Sequence, residues 1–90
     1  MKIVIITGGS RGIGAATALD CARDGMGVIL TYNANRQKAE EVVAQIKAEG
    51  GSAVALPLDV SVSSTFAAFR QMVTETLASV WSRDSFDALV

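Results

Sequence analysis

The chain has 90 residues, enough for one small domain. Half of them are apolar and 19% are charged, with a net charge of −1, so the composition is core-forming rather than disordered, and no basic block invites a nucleic-acid partner. With no histidine and one cysteine, histidine acid–base chemistry, histidine metal sites and an internal disulfide framework are excluded, and a reducing, cytoplasmic compartment is expected.

Residues 2–7 form a β-branched run around Ile3-Val4-Ile5-Ile6. Continuous apolarity over this length predicts a strand buried on both faces, as in a parallel sheet. The run is too short for a signal peptide, and nothing in the chain approaches membrane-spanning length, so no membrane partner is expected. A glycine-rich turn follows, Thr7-Gly8-Gly9-Ser10-Arg11-Gly12-Ile13-Gly14. Residues 12–23 then read as a helix, with Ala15, Ala18, Leu19 and Ala22 at i, i+3, i+4 and i+7. Cys21 lies in this pattern and is expected to be a packed thiol, not a nucleophile. Asp24-Gly25 ends the helix, with Gly25 able to take the left-handed conformation.

Residues 27–32, Gly-Val-Ile-Leu-Thr-Tyr, predict a second buried strand. Asn33 or Asn35 can cap the helix that follows over about residues 36–49. Ala39, Val42, Val43 and Ile46 form its inner stripe, and Glu40, Glu41, Lys47 and Glu49 its wet face. Gly50-Gly51 stops it. A third strand is expected over 53–58; Pro57 cannot donate to a ladder, which places this strand at a sheet edge or ends it there. Ser63 or Ser64 caps a third helix reaching about Val80, with Phe66, Phe69, Val73, Leu77 and Val80 as its apolar stripe. Residues 81–85 read as a loop with no evident purpose, and 86–90 begin a fourth strand.

The alternation predicts an α/β fold: a partial Rossmann-type doubly wound parallel sheet with right-handed crossovers, three helices and strand order 3-2-1-4. The first two helices are expected on one face and the third on the other. Strands one and four then part at the switch point, where the glycine turn sits and where a dinucleotide binds in such sheets. The chemistry suits a pyrophosphate. The first N–H groups of a helix have no partner inside it, the helix dipole adds partial positive charge there, and Gly8, Gly12 and Gly14 present no Cβ to an approaching phosphate. The spacing is neither G-x-G-x-x-G nor a Gly-Lys-Ser/Thr phosphate loop.

The cofactor follows from a missing charge. An acid about twenty residues past the glycines holds the ribose 2′-hydroxyl of NAD, yet no acid occurs between Asp24 and Glu40. The second strand ends Thr31-Tyr32-Asn33 instead. Arg11 in the turn and Arg36 at the head of the second helix can attract a 2′-phosphate with forked guanidinium geometry, which favours NADP(H) over NAD(H). Arg36 also fits an ordinary solvent-facing helix position.

Thr7-Gly8-x-x-x-Gly12-x-Gly14, set between a strand and a helix, resembles the cofactor-binding turn of the short-chain dehydrogenase/reductase family. The resemblance runs from the first strand to the fourth and covers about the first third of a typical member. It implies that Arg11 and the residues just after the second strand, Tyr32, Asn33 and Arg36, lie at the 2′-phosphate and adenosine side. It implies further that Ser10 lies by the adenosine phosphate and ribose, that the Ile13 backbone lies at the pyrophosphate, and that Asp59 and Val60 receive the adenine ring. Without the family, Asp59 also fits a turn or cap residue.

The family's catalytic Ser and Tyr-x-x-x-Lys pair lie further along than residue 90, beyond an Asn-Asn-Ala-Gly turn that follows the fourth strand. The only tyrosine here is Tyr32, and Arg36, not lysine, stands four residues on. No catalytic or metal-binding residue is therefore assigned, and these residues alone are expected to be inactive. Three accounts remain open: the N-terminal part of an NADP(H)-dependent oxidoreductase acting on a small carbonyl/alcohol substrate, a homo-oligomer at full length; a non-catalytic dinucleotide-binding or regulatory module; and a remnant without binding function. The chain stops inside its fourth strand, which favours the first, since domains end at surface segments.

Overall fold

Four consecutive aliphatic residues form strand β1, Ile3–Ile6, and all four are buried. In the computed structural model, which describes residues 2–7, 12–33, 35–58, 64–83 and 85–89, the elements follow in the order β1, helix α1 (Gly12–Arg23), β2 (Gly27–Tyr32), α2 (Arg36–Ala48), β3 (Ser52–Pro57), α3 (Ser64–Trp81) and β4 (Ala88–Leu89). The strands make one parallel sheet in the order β3-β2-β1-β4. Ile3 pairs with Gly27 and Ile6 with Leu30, Gly27 with Ser52 and Tyr32 with Pro57, and Val4 with Ala88.

The strand period of two divides the core into two layers. Val4 and Ile6 of β1, with Val28 and Leu30 of β2 and Ala53 of β3, meet Ala18 of α1 and Val43 and Ile46 of α2. Ile3 and Ile5, with Ile29, Leu56 and Leu58, meet Phe69, Val73 and Leu77 of α3. The first two helices thus share one face and the third covers the other. Each fully buried aliphatic side chain contributes roughly 1.5–3 kcal/mol by leaving water, and that outweighs the exposed ion pairs on the helices.

Helix ends follow the sequence. After α1, the Gly25 N–H donates to Ala22 O at 3.0 Å and the Met26 N–H to Cys21 O at 3.1 Å, with Gly25 at φ +88°. This closing pair of bonds needs a left-handed residue, which glycine takes without a Cβ clash. Of the two candidate caps for α2, Asn35 is the one used: its Oδ1 accepts the Lys38 N–H at 3.2 Å. Helix α3 starts at Ser64, while Ser63 falls outside the described residues.

Pro57 sits where its missing donor costs nothing. Strand β3 is an edge of the sheet, and the Leu58 N–H donates to Tyr32 O at 2.8 Å. Successive N–H groups of a strand point to opposite sides, so residue 57 faces the open edge.

The end of α3 differs from the expected pattern. Val80 is 47% exposed and does not continue the buried stripe, and residue 81 is helical rather than loop. Phe69, Val73 and Leu77 are spaced by four, and the next position in that series is Trp81. Its indole packs against the α3-side core, and its Nε1–H donates to Ser52 Oγ at 3.0 Å. It also covers Gly27, where an added Cβ would lie 2.8 Å from the indole ring. The fourth strand starts later than expected: Phe86 lies before it and is 42% exposed.

Strand β4 is held at its start by Asp87. The Asp87 N–H donates to Ile3 O at 2.7 Å, while its Oδ2 accepts the Ile3 N–H at 2.7 Å and the Arg83 Nη2–H at 3.3 Å. The Ile3 hydrogen bond is the leading cause that holds the Asp87 carboxyl below its usual value; partial desolvation opposes it, and the charges of Arg83 and Lys2 assist it.

Two measurements test this packing. Gly27→Ala should lower stability by about 1–3 kcal/mol in urea unfolding, because the new methyl group must displace the Trp81 ring. The lowered folded-state pKa of Asp87 means its contribution is present above the carboxyl's unfolded pKa and lost as pH falls through the folded value. Asp87→Asn should therefore lower Tm at neutral pH and leave a shallower fall of Tm below about pH 4 than in the wild type.

Candidate functional site

The carboxyl ends of β1, β2 and β3 lie along one rim of the sheet. Register places Ile6 level with Leu30, so β2 runs two residues further, about 6.6 Å, to Tyr32. Tyr32 is half-buried and Asn33 exposed, whereas Thr31 beneath them is buried. Thr7 ends β1 in an exposed turn, and α1 begins at Gly12 on the same rim.

Gly12 has φ +36°, and among the described residues an added Cβ would meet nothing within 4 Å. Its backbone conformation, not a shortage of room, is what calls for glycine. Gly12, Ile13, Gly14 and Ala15 supply the first four N–H groups of a twelve-residue helix, the groups without intrahelical acceptors. Partial positive charge collects at this end. Open space, aligned donors and positive potential suit an anionic diphosphate, so the residues fit the phosphates of a dinucleotide.

The rim also carries Arg36, the first residue of α2. Its side chain is 75% exposed and its Nε lies 3.7 Å from Glu40 Oε1. The Asn35 cap fixes the helix start directly after β2, which puts Arg36 within four residues of Tyr32. Of the residues expected to bind the cofactor, the structure therefore brings Gly12, Gly14, Tyr32, Asn33 and Arg36 to the carboxyl rim. Ile13 is there by its backbone. Gly8, Ser10, Arg11, Asp59 and Val60 lie outside the described residues.

Glu40 is a site neighbour that the sequence pattern left on the wet face of α2. Its spacing of four from Arg36 was the available signal. The opposite rim holds a crevice of about 20 Å³ between the ends of α1 and α2, lined by Leu19, Ala22, Arg23, Ile46, Glu49 and Gly51. There Arg23 Nε donates to Glu49 Oε1 at 2.9 Å, tying the two helices together. The crevice has room for about one water molecule and lies at the far end of α1 from Gly12.

Cys21 packs beside the core on α1, nine residues and about 13 Å from Gly12. Burial, with smaller contributions from Asp24 and Asp20, pushes its thiol above the ordinary value. A raised pKa leaves little thiolate at neutral pH, as expected of a packed thiol.

The chain matches the family described as short chain dehydrogenase across residues 2–85. It is 41% identical over 83 residues to the short-chain dehydrogenase/reductase GME11373 of Pestalotiopsis microspora, covering 91% of this chain and 29% of that protein. It is 37% identical over 79 residues to the short-chain dehydrogenase/reductase homolog YusS of Bacillus subtilis, covering 88% of this chain and 72% of that one. Among solved structures, the reductase LugOII superposes with a TM-score of 0.93 at 35% identity, over 98% of this chain and 36% of its own. A metagenomic short-chain oxidoreductase in complex with NADP superposes with a TM-score of 0.83 at 36% identity, over 98% and 37%. The chain thus spans about a third or less of these proteins, YusS apart.

Cys21 gives a direct check on the packing of α1. In the folded protein at pH 8 it should react with a disulfide reagent at least about tenfold more slowly than in urea, since its thiol is part-buried and its pKa raised. A burst of fast labelling would place a reactive thiol in this helix.

Proposed function

The chain belongs to the short-chain dehydrogenase family, a family of oxidoreductases, and corresponds to its N-terminal portion; on that premise we propose that it forms the NADP(H)-binding part of an enzyme passing a hydride between NADP(H) and a small carbonyl/alcohol substrate. The observation that carries the proposal is the start of α1 at Gly12, with positive φ and open space, on the rim where β1 ends. NADP-bound structures of similar fold support a nicotinamide dinucleotide as the cofactor.

On this reading residues 1–90 are the N-terminal part of a single NADP-binding Rossmann domain. The backbone of Gly8, Gly12, Ile13 and Gly14 cradles the pyrophosphate, with Ser10 beside the adenosine phosphate. Arg11 and Arg36 hold the 2′-phosphate, Tyr32 and Asn33 line the adenosine side, and Asp59 and Val60 receive the adenine. When bound, the nicotinamide accepts or gives the hydride. The residues that move the substrate's proton lie in the longer protein, which acts as a homo-oligomer. These 90 residues bind without turnover. A second reading, a dinucleotide-binding module without catalysis, draws support from the likeness to YusS, most of whose length this chain spans.

Fluorescence titration of the chain with NADPH and NADH tests the proposal. NADPH should bind, and Arg11→Ala with Arg36→Ala should weaken it about tenfold or more while NADH changes little, because charge-assisted hydrogen bonds to the 2′-phosphate are worth roughly 1.5–3 kcal/mol before solvent screening. Equal losses for both dinucleotides would remove the arginines from the 2′-phosphate. Absence of binding would overturn the proposal itself.

A further inference from the structure

The head of α2 breaks a rule of helix electrostatics. Its first turn carries no acid but does carry Arg36 and Lys38. Cations are disfavoured at the positive end of a helix. The Arg36 guanidinium turns to Glu40, one turn along, at 3.7 Å. This base-then-acid order is the weaker arrangement of an i,i+4 pair, and both side chains are more than half exposed. Helix stability therefore gives little reason for the pairing.

We infer that Glu40 is a specificity-determining residue, which sets the choice between the two nicotinamide dinucleotides by competing with the 2′-phosphate for Arg36. The inference rests on the reading that the head of α2 faces the adenosine end of the cofactor. Without a phosphate, the Glu40 carboxylate holds the guanidinium. A 2′-phosphate must take the guanidinium from that carboxylate and then lie near its negative charge. A ribose with a free 2′-hydroxyl carries no charge there and meets neither obstacle. Glu40 thus acts against NADP(H) alone and moderates a preference that Arg36 creates.

The test is a double-mutant cycle read by NADPH and NADH titration of the wild type, Glu40→Gln, Arg36→Ala and the double variant at low ionic strength. Glutamine keeps the helix propensity and shape and removes the charge. Glu40→Gln should tighten NADPH about threefold, in line with an exposed ion pair, and leave NADH unchanged. The gain should largely vanish in the Arg36→Ala background, and added salt should reduce it. An unchanged NADPH affinity, equal changes for both dinucleotides, or the same gain with and without Arg36 would overturn the inference while the cofactor reading stands. A wild type that binds neither dinucleotide would overturn that reading, and the inference with it.

Discussion

Burial of β1 on both faces is the constraint on which the other elements depend. A strand with no solvent face needs a neighbour on each side and a helix layer above and below. The chain supplies β2 and β4 as neighbours, α1 and α2 for one face, and α3 for the other. Because parallel neighbours need crossovers, each of β1, β2 and β3 is followed by a helix that returns the chain to the same starting edge. All the helices that follow strands therefore start on one rim. Gly12 at the head of α1 and Arg36 at the head of α2 share that rim for this reason.

Most of this layout was legible in the residues. Aliphatic runs of four to six gave strands, and stripes such as Ala39, Val43 and Ile46 gave the buried helix faces. The failures lie at one place, the passage from α3 to β4. Val80 fits an i+3 step as well as Trp81 fits an i+4 step, and only the packing chooses between them. What decides is a hydrogen-bond partner 29 residues away, Ser52, and a glycine whose bare Cα leaves room for an indole. Neither is visible from local sequence. Asp87 likewise reads as an ordinary residue of the fourth strand until its carboxylate is seen on the Ile3 N–H, 84 residues away in the chain.

The candidate site was legible for a different reason. Phosphate binding by backbone depends on the absence of side chains, so glycine spacing records it directly, and Gly12 shows the backbone conformation that such spacing implies. Charge recognition is less direct. The sequence marked Arg36 through the missing acid after the second strand, but an arginine's preference depends on what else holds its guanidinium. That role falls to Glu40, which a helical wheel assigns to solvent.

The closure of β4 onto β1 has an entropic consequence. Pairing Ile3 with Gly27 joins positions 24 apart, whereas the Asp87–Ile3 bonds join positions 84 apart. Loop closure over the longer span costs about 1 kcal/mol more, from 1.5RT ln(84/24). Among the described residues β4 makes two pairs with β1, against four between β1 and β2. The seam of the sheet with the greatest closure cost is thus the one that borders the switch point. On the proposed function, a dinucleotide bridging that seam would favour the pairing that chain connectivity makes costliest to form.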